Sequence, residues 1–249
     1  MGIDWGPGAP KGDDLGILGD LDTVGCKFVE EFTTPGWRIS PSSHSRQYEG
    51  ARVIELGCGG AQFGLALAER GADVTGVDIS ARQLSHARAN ADERDADVDL
   101  IEASVTDLSM IEDATYDLAV SAFAFQWVAD LESCFVEASR ILTDGGRLAF
   151  SVDHPYYKLI DPETNAFERS YFDATPRREY SDQLDAEMII HRRGVAETVN
   201  RLIDAGFTIE ELREPGYADP AKYVSEFGSF EPELMATVPP TIIYAARNR

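Results

Sequence analysis

Two glycines and an aspartate stand at spacings that suit the binding of a nucleoside. Gly57 and Gly59 follow a short β-branched run at residues 53–56, and glycines there let the backbone approach a ligand at a helix N-terminus. Asp78 comes about twenty residues after the first glycine, where a carboxylate can accept hydrogen bonds from both ribose hydroxyls. The glycine pair alone also fits an ordinary strand-to-helix turn. Together with the aspartate, it predicts a nucleoside-containing cofactor.

Two further residues bear on which cofactor this is. A dinucleotide site of the G-x-G-x-x-G type has a third glycine where this chain has Gln62, so the close approach that a pyrophosphate needs is not provided. Glu55, at the end of the first strand, would repel a pyrophosphate but suits the ammonium group of a methionine. These residues favour S-adenosylmethionine over a nicotinamide dinucleotide.

The elements that position these residues follow from the alternation of short apolar runs with helical patterns. We predict strands at residues 53–56, 73–77, 98–102, 116–121 and 147–152, and then at 207–212 and 241–246. Helices are predicted at residues 62–70, 80–91, 130–142 and 195–203. Ser80 and Gln83 form a capping box. This order indicates an α/β fold: a doubly wound, Rossmann-like, mostly parallel sheet with its ligands at the carboxyl ends of the strands.

Four segments resemble motifs of the class I S-adenosylmethionine-dependent methyltransferases, and the small-molecule, type 11 branch is the most similar. Residues 53–59 (VIELGCG) resemble the first motif, and residues 74–80 (VTGVDIS) resemble the acidic motif that follows. Residues 116–121 (YDLAVS) and 141–146 (ILTDGG) resemble the fourth strand and the turn before the fifth. The resemblance covers residues 51–152 and continues weakly to the last strand.

The resemblance implies a seven-stranded core with a lid-like insertion after strand five. It also implies roles for individual residues. Glu55, Gly57 and Gly59 would hold the methionine end, and Asp78 would hold the ribose. The remaining cofactor contacts would be Ile79 on the adenine face, Ser104 and Val105 at the adenine edge, and Ser121 near the methyl group.

Two positions depart from the family pattern. The third glycine of the first motif is Ala61 here, and the acid that usually faces the adenine amino group is Ser104. Asp107, three residues later, is either a substitute for that acid or a solvated loop residue.

The residues after strand five are candidates for the methyl acceptor site. Methyl transfer needs a general base only when the acceptor is protonated, and His154 is the candidate for that base. An equally good interpretation is that His154 shapes the turn before Pro155. Tyr156 is a second catalytic candidate, and neighbouring aromatic residues would wall the pocket or pack a lid. Gln126, after strand four, is expected to point into the site.

The composition of the chain limits its possible binding partners and its cellular environment. The formal net charge is −22 with a pI near 4.4, which is typical of proteins adapted to concentrated salt and disfavours nucleic acid as a substrate. The cysteines and histidines are scattered, so no metal site is expected. The sequence shows neither a membrane span nor a secretory signal, which favours a cytoplasmic location. The oligomeric state stays open.

We predict a lead-in at residues 1–50 and a methyltransferase domain at 51–249. Within that domain we expect a cofactor-binding core at 51–152, a substrate lid at 153–190 and the remaining sheet at 191–249. The expected function is methyl transfer from S-adenosylmethionine to a small-molecule acceptor. Two alternatives remain open, a nicotinamide oxidoreductase and a non-catalytic adenosine-binding relative.

Overall fold

The computed structural model describes residues 48–161, 164–181, 186–214 and 232–249. They form a seven-stranded sheet in the order β3-β2-β1-β4-β5-β9-β8, in which only β9 runs antiparallel to its neighbours. The predicted Rossmann-like fold with seven strands is confirmed. The strands are β1 (Arg52–Leu56), β2 (Asp73–Asp78), β3 (Asp99–Glu102), β4 (Tyr116–Ala122), β5 (Leu142–Asp153), β8 (Phe207–Arg213) and β9 (Thr241–Asn248).

Helices cover both faces of this sheet. They are α1 (Gln62–Ala68), α2 (Ala81–Arg94), α3 (Leu131–Ile141), α4 (Val195–Asp204) and the short α5 (Pro232–Met235). The predicted cap of α2 is confirmed, because the Ser80 hydroxyl accepts a hydrogen bond from the Gln83 N–H at 3.3 Å. None of the helices in the described part of the chain combines the length and the hydrophobicity that a bilayer crossing needs.

Strand β5 is longer than the sequence pattern indicates. It starts at Leu142, directly after α3, rather than at the predicted residue 147. Tyr116 pairs with Leu142 and Leu118 pairs with Arg147, so the predicted glycine turn lies within the strand as an irregularity. Gly145 has a φ of +76°, which is the left-handed conformation that glycine adopts at no steric cost.

An aromatic cluster fixes the carboxyl ends of β4 and β5. Phe125, directly after β4, packs on Phe135 of α3 and Phe150 of β5, and Phe150 stacks on Tyr244 with ring centroids 4.8 Å apart. All four side chains are fully buried. Aromatic packing of this kind buries apolar area and fixes the orientation of the rings. The loop after β4 is therefore held rigidly near its start, at Phe125.

The insertion after β5 contains a hairpin that the sequence analysis missed. Strands β6 (Arg177–Ser181) and β7 (Ala186–Ile190) pair antiparallel in a separate two-stranded sheet. The insertion was predicted only as a lid at residues 153–190, without strands. Most of the lead-in predicted at residues 1–50 lies outside the described residues.

Candidate functional site

The glycine loop after β1 is held by hydrogen bonds within the protein. The N–H groups of Gly57 and Cys58 both donate to the Val77 carbonyl, at 2.8 and 2.9 Å. The Gly59 N–H donates to Asp78 Oδ2 at 2.8 Å. Three backbone donors of the loop are therefore already used within the protein.

Each glycine of the loop is required for a different reason. Gly57 has a φ of +72°, and a Cβ added there would lie 2.4 Å from the Cβ of Ala124. Gly59 has a φ of +52°, but a Cβ added there would meet no atom within 4 Å. Gly57 thus lets the loop pack against the segment after β4, whereas Gly59 borders open space in which a ligand would fit.

Asp78 lies at the carboxyl end of β2, beside this loop. Its Oδ1 accepts from the Ser80 N–H at 2.9 Å while its Oδ2 binds the Gly59 N–H. The side chain is only partly buried, so the lone pairs not used by these two backbone groups can face a ribose. Asp78 therefore both organises the loop and offers a carboxylate to a ligand, whereas the sequence pattern indicated only the second role.

The residues predicted to meet the adenine lie after β2 and β3. The Ile79 side chain is 55% exposed, which leaves it free to pack on a flat ring. The Ser104 hydroxyl lies 2.8 Å from that of Thr106, and Val105 packs against the main core. Asp107 is exposed, and its Oδ1 accepts from the Ser109 N–H at 3.2 Å, so one of its oxygens serves the local turn.

Glu55 lies at the end of β1 and is almost fully buried. Its Oε2 accepts from the Gly64 N–H, in the first turn of α1, at 2.8 Å. The N-cap residue of helix α1 is Ala61, whose side chain has no hydrogen-bond acceptor. Glu55 therefore supplies the missing cap from the neighbouring strand β1. Burial raises the Glu55 pKa to about 8, the Gly64 hydrogen bond opposes this rise, and the Asp78 charge adds to it.

The raised pKa of Glu55 has a testable effect on stability. An unfolded glutamate ionises near pH 4.5, whereas the folded one keeps its proton up to about pH 8. The stabilisation from this difference is complete below pH 4.5 and is lost as the pH rises to about 8. Between pH 5 and pH 8, we expect the free energy of unfolding to fall by a few kcal/mol more in the wild type than in Glu55→Gln, since one pKa unit corresponds to about 1.36 kcal/mol.

Urea unfolding at several pH values between 5 and 8 measures this difference. The matched control is Glu93→Gln, which changes an exposed glutamate of α2 and should keep the wild-type pH dependence. Parallel pH profiles for wild type and Glu55→Gln would contradict the assignment.

Ser121 lies on β4 in a fully buried position. Its hydroxyl donates to the Leu56 carbonyl at 2.7 Å, so it ties β4 to β1 beneath the glycine loop. The resemblance implied a position near the methyl group. The only proton of the Ser121 hydroxyl is donated to a backbone carbonyl. This contact gives Ser121 a positioning role.

Similarity to known proteins agrees with this geometry. Residues 54–150 match the family described as "Methyltransferase domain". An S-adenosylmethionine-dependent methyltransferase from Mesorhizobium loti superposes with a TM-score of 0.66 at 29% identity, over 80% of this chain and 92% of that one. The chain has the class I methyltransferase fold.

Other similar proteins extend the comparison. A putative S-adenosylmethionine-dependent methyltransferase from Listeria monocytogenes has a TM-score of 0.64 at 24% identity, over 81% of this chain and 91% of that one. The ubiquinone biosynthesis O-methyltransferase of Alkalilimnicola ehrlichii is 32% identical over 103 residues, which are 41% of this chain and 42% of that protein. The chain thus matches less than half the length of this curated relative.

On the acceptor side of the methyltransferase fold, His154 has both ring nitrogens engaged. Its Nδ1 accepts from the Tyr156 N–H at 3.2 Å, which places the ring proton on Nε2, 2.9 Å from Glu214 Oε1. The side chain is 2% exposed. No ring nitrogen is left to take a proton from an acceptor, so the geometry supports the turn-shaping role rather than the predicted base.

Tyr156 belongs to the same aromatic stack. Its ring packs between those of His154 and Tyr171, with centroids 5.6 and 4.6 Å away. The Tyr171 hydroxyl accepts from the Val195 N–H at the start of α4. The stack therefore joins the insertion to the core. A structural role for Tyr156 explains these contacts, and they do not require a catalytic role.

A cleft of about 790 Å³, including its open mouth, lies at the carboxyl ends of β4 and β5. Gln126 and Asp153 lie on its wall, and Gln126 Oε1 accepts from the Asp153 N–H at 2.9 Å. Gln126 was expected to point into the site, and it does line this cleft. Ala124, against which Gly57 packs, is two residues before Gln126, so the cleft and the glycine loop share one segment.

The sequence analysis missed the arginines of this cleft. Arg169 and Arg177 come from the insertion, and Arg192 and Arg193 follow β7. The only signal was that these basic residues cluster at 169–193 in an otherwise acidic chain, which the sequence analysis did not use.

Proposed function

We propose that this protein transfers a methyl group from S-adenosylmethionine to a small-molecule acceptor by in-line displacement. The state of the glycine loop carries the proposal. The N–H groups of Gly57, Cys58 and Gly59 are satisfied by Val77 and Asp78, and the partly buried Asp78 carboxylate lies beside the loop. Such a site disfavours a pyrophosphate and suits a ribose joined to a cationic amino acid.

The residues present fit the proposed cofactor. Gly59 borders open space, Ile79 presents an exposed apolar side chain, and Asp78 has lone pairs left for ribose hydroxyls. When bound, S-adenosylmethionine would supply an electrophilic methyl group. The chain itself would align the acceptor in the cleft beside Gln126 and exclude water, which are the main requirements for this displacement.

We propose a small acceptor rather than nucleic acid, because a chain of net charge −22 lacks the basic track that phosphate backbones need. The insertion at residues 153–190 would cover the acceptor, since Arg169 and Thr175 already line the cleft. The relatives named ubiquinone biosynthesis O-methyltransferases make phenolic oxygen the first acceptor class to test.

Turnover tests the proposal. The protein is incubated with S-adenosylmethionine and a metabolite panel that includes phenols and catechols, and S-adenosylhomocysteine is measured. Acceptor-dependent formation of S-adenosylhomocysteine is the expected result. Oxidation or reduction of a panel member with a nicotinamide dinucleotide would support the oxidoreductase instead. Cofactor binding without turnover of any acceptor would favour a non-catalytic relative.

We also propose that the acidity is an adaptation to salt. The chain has 44 acidic and 22 basic residues, so it repels itself in dilute buffer, and salt screens that repulsion. Molar potassium chloride is expected to raise the melting temperature, by about 2–4 °C for each kcal/mol gained in a chain of this size. Thermal denaturation from dilute buffer to molar salt measures the change. A flat or falling melting temperature would refute the adaptation.

A further inference from the structure

The acceptor cleft carries a charge opposite to that of the whole chain. The protein has two acidic residues for every basic one. Among the cleft's lining residues that the structure describes, this ratio is reversed, since there is one carboxylate and there are five basic groups. These six residues are Asp153, Lys158, Arg169, Arg177, Arg192 and Arg193. Such a local excess of positive charge needs a reason in a protein of this composition.

The arginines of the cleft differ in what they bind. Arg193 is committed to the backbone, because its guanidinium donates to the carbonyls of Val128, Ala129 and His191. Arg192 donates to the carbonyls of Tyr171 and Ser170. A guanidinium has five N–H donors. Arg192 is therefore held in position by two carbonyls and still has N–H groups that a ligand can use.

Arg169 lies at the same cleft without a fixed partner. Within the described parts of the chain it has no hydrogen bond and no carboxylate within ion-pair distance, and Arg192 likewise has no ion pair. By contrast, Lys158 lies 3.5 Å from the Asp153 carboxylate. The one acid among the cleft's described lining residues therefore already lies beside a lysine.

The electrostatics of Arg192 agree with this geometry. Burial lowers its pKa, the exposed Asp173 carboxylate opposes that change, and the nearby charge of Arg169 lowers the pKa further. Asp173 Oδ1 accepts from the Thr175 N–H at 3.0 Å, so this acid also serves its own turn. Along with the hydrogen bonds of that turn, the charges of Arg169 and Arg192 both lower the pKa of Asp173, so this exposed carboxylate partly balances both guanidinium groups, with an attraction that solvent screens. An anion bound between the two groups would stabilise both further.

The other walls of the cleft are apolar. Leu131, Phe150 and Val152 line it alongside Phe125 and Ile190. An occupant must therefore match an apolar surface as well as a positive one. Guanidinium groups bind the oxygens of carboxylates and phosphates in a fork geometry, so the matching ligand has an apolar body and an oxyanion group.

We propose that the methyl acceptor is an anionic small molecule with an apolar body, whose carboxylate or phosphate is bound by Arg169 and Arg192. This inference rests on the proposed methyltransferase function, because it assigns the acceptor of that reaction. The apolar body lies along Leu131 and Phe150, and the oxyanion lies at the rim formed by the insertion.

Binding of matched probes tests this proposal. Benzoate and phenyl phosphate are compared with their neutral counterparts, benzamide and phenol, by calorimetry at low salt. We expect each anion to bind at least about tenfold more tightly than its neutral counterpart, which is the usual effect of hydrogen bonds to a charged group. The ratio between benzoate and phenyl phosphate separates a carboxylate site from a phosphate site.

The variants are Arg169→Gln, Arg192→Gln and the double variant, with Arg178→Gln as the matched control. Arg178 lies on β6, in the same insertion as Arg169, but pairs with Glu187 and is not among the lining residues of the cleft. The double variant should lose the preference for anions, and the control should keep it. Circular dichroism confirms folding, and Arg169→Gln alone, which breaks no hydrogen bond or ion pair among the described residues, covers the case in which Arg192→Gln misfolds.

Two results would overturn the inference: anions that bind no better than neutral probes, or a preference for anions that survives in the folded variants. Titration of the same samples with S-adenosylmethionine separates this failure from failure of the proposed function. S-adenosylmethionine binding without a preference for anions refutes only the acceptor class. Absence of S-adenosylmethionine binding refutes the function itself.

Discussion

Replacing Asp78 with alanine is expected to weaken S-adenosylmethionine binding by at least about tenfold, because hydrogen bonds to a charged group contribute roughly 1.5–3 kcal/mol. The substitution removes the carboxylate proposed to hold the ribose. It also leaves the N–H groups of Gly59 and Ser80 without their acceptor, so the loop itself loosens. Equilibrium dialysis with labelled S-adenosylmethionine measures the loss.

Two further variants separate these effects. Asp78→Asn keeps an oxygen that can accept one backbone N–H but removes the charge, so it should bind more tightly than Asp78→Ala and less tightly than the wild type. Asp73→Ala changes an exposed acid at the other end of β2 and should bind as the wild type does. Unchanged affinity in a folded Asp78→Ala protein would remove the ribose assignment.

Replacing Gly57 with alanine is expected to give the largest loss of stability, about 3 kcal/mol or more, from two additive causes. The residue has a φ of +72°, which strains any side chain, and the new Cβ would lie 2.4 Å from that of Ala124. Ala124 belongs to the segment that also lines the acceptor cleft. We therefore expect the change to disturb both halves of the site, with urea unfolding as the measurement of stability.

The matched comparisons are Gly59→Ala and the double variant Gly57→Ala/Ala124→Gly. Gly59 has a positive φ but nothing within 4 Å of an added Cβ, so its cost should be limited to backbone strain of about 1–2 kcal/mol. The double variant removes the steric overlap and should recover part of the loss. Equal destabilisation by Gly57→Ala and Gly59→Ala would show that the contact with Ala124 is unimportant.

The sheet and the glycine loop could be predicted because their signals are local. Strand β1 is buried on both faces after Arg52, so its sequence is apolar apart from the buried Glu55, and it ends in the loop at Gly57. The cap at Ser80 likewise depends only on residues three positions apart. The start of β5 was missed because a glycine turn normally ends a strand, and only pairing of Leu142 with Tyr116 shows that this one does not.

The roles of individual polar side chains depend on distant partners, which the sequence does not show. The Ser121 hydroxyl finds the Leu56 carbonyl 65 residues away, and Nε2 of His154 finds Glu214 60 residues away. The arginines escaped notice for the same reason. Arg169 and Arg192 lie near the two ends of the basic segment at residues 169–193, and only the folded insertion brings their charges together.

Calorimetric titration of the wild-type protein with S-adenosylmethionine, S-adenosylhomocysteine and NAD tests the central claim most directly. We predict saturable binding of the first two at one site per chain and no binding of NAD, because the third glycine of a pyrophosphate loop is Gln62 here. Tight binding of NAD, or no binding of either S-adenosyl compound, would contradict it.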